Sequence, residues 1–90
     1  VDAGGLAVMP VDREILEQHL AQAEEHVRRG AEHLASQRAI IAELERDGHD
    51  TKVARGLLAT YEEMQAMHIA DRDRAAARLA AASRNSTSDD

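Results

Sequence analysis

The sequence predicts an all-α protein: an antiparallel two-helix hairpin, coiled-coil-like, that self-associates into a four-helix bundle. Three observations carry that expectation. Leu20, Val27, Leu34 and Ile41 recur every seven positions, interleaved with Leu16, Ala23, Gly30, Gln37 and Leu44, which is the heptad seam of a helix packed along its length on another. A second periodic stretch follows the breaker Arg46-Asp47-Gly48-His49-Asp50-Thr51. The core is also thin for a single hairpin. Aromatic residues make up 1% of the 90-residue chain, Tyr61 alone, and much of the 43% hydrophobic fraction is alanine, which buries little area.

Residues 1–10 read as a flexible N-terminal segment. Its opening Val1-Asp2-Ala3-Gly4-Gly5-Leu6 has no basic leader region, and Met9 is an alternative start if Val1 reflects a non-standard start codon. The first helix is expected over 11–46, with Asp12 as N-cap and Pro10 just outside or in the first turn. On its outer face Glu24 with Arg28 and Glu25 with Arg29 stand in the favourable i,i+4 order. The turn is placed at 47–50, where Gly48 supplies the left-handed residue that ends a helix and Asp50 or Thr51 caps the next.

The second helix is expected over 51–82. Its stripe reads Val53, Leu57, Tyr61, Met64, His68, Ala75, Leu79, Ala82, a 3.6-residue spacing rather than a strict heptad, and it weakens after Ile69. Residues 83–90, polar and small, have the composition of a disordered tail. The two helices would be about 54 and 48 Å long. Folding back about Gly48 and His49 sets Leu44 against Ala54, Ile41 against Leu57, Gln37 against Tyr61, Leu34 against Met64, Gly30 against His68 and Val27 against Asp71.

Ordering about 70 residues costs on the order of 100 kcal/mol of conformational entropy, more than one such seam offsets. A second contact surface is therefore expected. Ile15, Ile40, Leu58, Met67 and Ile69 lie off the stripe and would provide it, with Leu58, Met67 and Ile69 as anchors. The partner is a second copy, as a homodimer, or a helix of another protein. The net charge of −6, from 17 acidic and 11 basic residues, argues against nucleic acid. No run approaches the roughly 20 apolar residues of a membrane span, and the amphipathic faces carry too much acid for anionic lipid. With no cysteine there are no disulfides, and the cytoplasm is the expected compartment.

Chemistry-bearing patterns are few. The serines are Ser36, Ser83, Ser86 and Ser88, three of them in the tail, and none forms a nucleophile and base pair. The glycines build no phosphate loop. The reading is a non-enzymatic interaction and oligomerisation module, possessing no catalytic residue and requiring no cofactor. Five histidines suggest metal, yet His19, His26 and His33 are spaced by seven, about 10.5 Å along a helix, too far to share one ion. The alternative reading is a metal- or pH-responsive sensor centred on His68 and Asp71. His26 or His33 would approach from the other helix, Gly30 would leave room, and protonated imidazoles would repel across an oligomer seam.

The central stretch resembles a group of short uncharacterised bacterial proteins, mainly alphaproteobacterial, that are predicted helical hairpins. The resemblance is carried by His26 through Arg29, Gln37-Arg38, Ile41, Leu44, Gly48-His49-Asp50-Thr51, Ala54, Leu57-Leu58, Thr60, Glu62-Glu63, His68 and Asp71-Arg72-Asp73-Arg74, about two thirds of the chain. It implies the hairpin fold and no activity, cofactor or catalytic residue. The alanine-rich segment after Arg74 departs from the leucine-richer ending of the group.

Overall fold

The computed structural model describes residues 10–88, and the expectations placed on residues 1–9 and on Asp89 and Asp90 lie outside them. Two helices of 37 residues each, α1 (Pro10–Arg46) and α2 (Lys52–Ser88), pack side by side, and among the described residues there is no strand. The hairpin is a rod with a radius of gyration of 20.2 Å, against about 12 Å for a compact domain of this length. α1 begins at Pro10, whose fixed φ suits a first helical position. The capping role expected of Asp12 lies outside the described side chains. At the far end α2 continues through Ser88, past the expected stop at Ala82 and into the segment expected to be a tail.

The turn follows the sequence closely. Gly48 takes φ of 74°, the left-handed conformation that a Cβ would strain. His49 N–H then donates to Leu44 O at 2.8 Å and Gly48 N–H to Glu45 O at 3.2 Å, the paired bonds of a Schellman ending. Asp50 Oδ1 accepts Lys52 N–H at 3.0 Å, and Thr51 O takes the first helical bond from Arg55 N–H. One turn therefore supplies partners for the Leu44 and Glu45 carbonyls of α1 and for the Lys52 amide of α2.

α1 buries the expected stripe: Ala23 and Ile41 are buried, and Leu16, Leu20, Val27, Leu34 and Leu44 are half-buried. α2 does not. Val53 is 87% exposed, and Leu57 and Met64 are also exposed, while Thr51, Ala54, Leu58, Tyr61, His68, Arg72, Leu79 and Ala82 are half-buried and Gln65 and Ala75 buried. These spacings of three and four form a strict heptad, so α2 is a coiled-coil helix after all. Its turn-proximal half is rotated by one residue, about 100°, from the stripe read by hydrophobicity.

The pairing moves as well. Gly30 meets Gln65, about one helical turn before the expected His68. Gln37 Nε2 donates to Ala54 O at 2.9 Å, not to Tyr61, and Gln65 Nε2 donates to Val27 O at 2.9 Å. Each helix thus sends one buried glutamine to the backbone of the other. In this register Gln65 lies by Gly30, the large-to-small complementarity that close packing requires.

The outer face is laced with ion pairs, though not as expected. Arg28 pairs with Glu25 and, at 2.6 Å, with Glu32, rather than with Glu24; Arg29 does pair with Glu25, at 2.9 Å. Hydrogen bonds from Arg28 and then Arg29 hold the Glu25 carboxyl down to about 2, from an ordinary 4.5. A depressed acid stabilises the fold above its unfolded pKa and loses that contribution as pH falls from about 4.5 through about 2. The difference in melting temperature between wild type and Glu25→Gln, followed by circular dichroism, should therefore be present at pH 6 and vanish near pH 2. It should shrink in 1 M salt, because the pairs are exposed. A constant difference across that range would refute the assignment.

Candidate interaction surface and histidine groove

Two flanks border the seam, and they differ in chemistry. On one, Arg38 and Glu62 pair at 3.5 Å and Arg55 pairs with Glu45, so ion pairs cross between the helices. Ile69 lies on this flank by its heptad position, 37% exposed.

The other flank carries the column His19, His26, His33, Ile40 of α1 alongside Leu57, Met64, Asp71, Arg78 of α2, with Val53, Met67 and Arg74 one step outward. It divides into two zones. Near the turn Ile40, Leu57, Met64 and Met67 are 46%, 42%, 45% and 63% exposed. Farther out, His19, Gln22, Ala23, His26, Asp71, Arg74, Ala75 and Arg78 line an open groove of about 290 Å³.

The anchors expected from sequence are thereby sorted. Ile40 and Met67 share the apolar zone. Leu58 is half-buried at a seam position and is not an exposed anchor, because the seam takes residue 58 where the stripe had residue 57. Ile69 belongs to the ion-paired flank, and Ile15, 41% exposed, lies near the open end of the hairpin. Leu57 and Met64, which hydrophobicity assigned to the seam, instead complete the zone of Ile40 and Met67. The signal that could have found this was Gly30: a glycine in a helix interior calls for a bulky neighbour opposite, and Gln65 sets the phase.

The histidines are separated by their contacts. His26 lies against His68, with ring centres 5.5 Å apart and planes inclined by 42°. His33 lies instead against Tyr61, at 5.8 Å. Asp71 is engaged by Arg74, and His68 Nδ1 approaches Gln65 Oε1 at 3.4 Å. The set His68, Asp71, His26 and His33 is therefore not gathered around one point. Among the described residues no group of three or more His, Cys, Asp or Glu is placed to hold a metal ion. No helix of the described residues is long and apolar enough to cross a membrane. In comparisons with protein-family models, curated proteins and solved structures, nothing matches this chain.

Proposed function

We propose that the protein is a non-enzymatic helical interaction module whose apolar flank is covered by a second copy of the chain. The observation that carries this is the placement of Ile40, Leu57, Met64 and Met67, exposed on one flank of a hairpin in which, among the described residues, no side chain is fully enclosed. An apolar zone is complementary to itself, which favours a second copy as the occupant. Around the zone His33, Ser36 and Thr60 are polar neighbours, and the carboxylates Glu43, Glu63 and Asp71 stand at its rim, about one helical turn from Ile40 or Met67. A two-fold contact is self-complementary, and two hairpins joined this way make a four-helix bundle. The cytoplasmic setting and the lack of nucleic-acid or membrane partners belong to the same proposal.

Light scattering over a dilution series is expected to show twice the chain mass of 9.8 kDa at high concentration, with dissociation on dilution. Leu57→Glu with Met64→Glu, which would bury unpaired carboxylates, should weaken association at least 100-fold. Ile69→Glu, on the ion-paired flank, should leave the mass unchanged. A wild-type monomer at every concentration, or equal loss with Ile69→Glu, would overturn the proposal.

A further inference from the structure

We propose that His26 and His68 form a cross-helix clamp for a divalent transition-metal ion of the kind that imidazole binds, Zn²⁺, Ni²⁺ or Cu²⁺. The inference starts at Gly30. A Cβ there would fall 1.8 Å from Gln65 Oε1, so the missing side chain is what admits the Gln65 amide into the seam. Gln65 is buried and its Nε2 donates to Val27 O, which fixes which end of the amide is which. Its Oε1 can then only accept, and the atom beside it is His68 Nδ1 at 3.4 Å. Nδ1 therefore carries the hydrogen, and Nε2 of the neutral ring is left with its lone pair.

Metal-binding histidines are oriented in just this manner, by donating the other ring N–H to an oxygen acceptor. A ring bound through nitrogen at about 2.1 Å has its centre about 3.2 Å from the ion, so two rings at a tetrahedral angle are about 5 Å apart. The His26 and His68 centres are 5.5 Å apart. His26 is exposed and lines the open groove, and His68, whose ring lies against it, is half-buried, so solvent can reach the pair from the His26 side and complete the coordination. Asp71, paired with Arg74, is not required. Imidazole donors select zinc, nickel and copper over magnesium and calcium. The clamp lies within one hairpin, so it is independent of self-association.

The test is calorimetric titration of untagged protein with Ni²⁺, with Mg²⁺ as control, beside thermal melts. One Ni²⁺ per chain is expected, with a melting temperature raised by about 10 °C or more at 100-fold above Kd. His26→Gln, at an exposed position that leaves the fold undisturbed, and His68→Gln should each abolish the rise, whereas His19→Gln and His33→Gln should keep it. Gln65→Leu should weaken binding about 10-fold or more by releasing His68. The Leu57→Glu, Met64→Glu double variant should bind as wild type does. Absence of a difference between Ni²⁺ and Mg²⁺, or full binding by His26→Gln, would overturn the proposal.

Discussion

Ile41→Ala is expected to lose about 2–4 kcal/mol of stability, the cost of emptying a buried branched side chain. Ile41 is 6% exposed, and with Ala23 and Ala75 it makes up the buried hydrophobic set among the described residues. It is by far the largest of the three. A chain this small has a total stability of about 5–13 kcal/mol at usual values per residue, so the loss is a substantial part of the whole. The same experiment distinguishes the two phases of α2. Leu58→Ala, at a half-buried seam position, should cost about 1–3 kcal/mol, and Val53→Ala, 87% exposed, should stay within about 0.5 kcal/mol of wild type. Urea unfolding of the three variants at one protein concentration measures them on a common scale. A costly Val53→Ala with a neutral Leu58→Ala would restore the stripe read by hydrophobicity and remove the observed register.

Those residues also mark where the sequence was legible. α1 could be read because every seam position except Gly30 and Gln37 is apolar, so hydrophobicity and geometry agree. The turn could be read because Gly48 and Asp50 act through local backbone chemistry, independent of what packs against them. α2 could not be phased in its first half, where the seam holds Thr51, Ala54 and Gln65 while Val53, Leu57 and Met64 stand outside it. A rule that sends apolar side chains inward rotates that segment. Shape decides instead: Gln65 fills the space beside Gly30, and Ala54 offers its carbonyl to Gln37. Hydrogen bonding then supports what shape selects, because in this register the buried Gln65 amide donates to Val27 O and, among the described residues, no buried side-chain polar atom lacks a partner.

The surface was legible to the same extent. Ile40 and Met67 were identifiable as off the seam, but their neighbours Leu57 and Met64 could be recognised only once α2 was turned. The histidines show the converse. Spacing along α1 correctly separates His19, His26 and His33, yet the approach of His26 to His68 and of His33 to Tyr61 depends on the register between helices. Neither pairing follows from residue type.

Gly30→Ala is expected to destabilise the hairpin by about 1–2 kcal/mol, against the ordinary direction of that substitution. In a helix interior alanine is favoured over glycine by about 1 kcal/mol. Here the new Cβ would occupy the position of Gln65 Oε1, with Cδ only 2.7 Å away, so the amide must leave. Displacing it breaks the bond to Val27 O and strands buried polar groups, at about 1–3 kcal/mol, and the packing lost with the displaced chain adds to that. The two terms oppose each other, and the second is the larger. Gln65→Ala alone should also lose about 1–2 kcal/mol by leaving a cavity beside Gly30. The double variant places the alanine methyl of residue 30 into the vacated space, so it should be more stable than the sum of the single losses predicts, with a coupling of about 1–3 kcal/mol. Equilibrium unfolding of all four proteins closes the cycle. A gain of about 1 kcal/mol from Gly30→Ala alone, with additive effects in the double variant, would mean that Gln65 does not enter the seam. The register of the hairpin and the orientation of His68 would then both lose their basis.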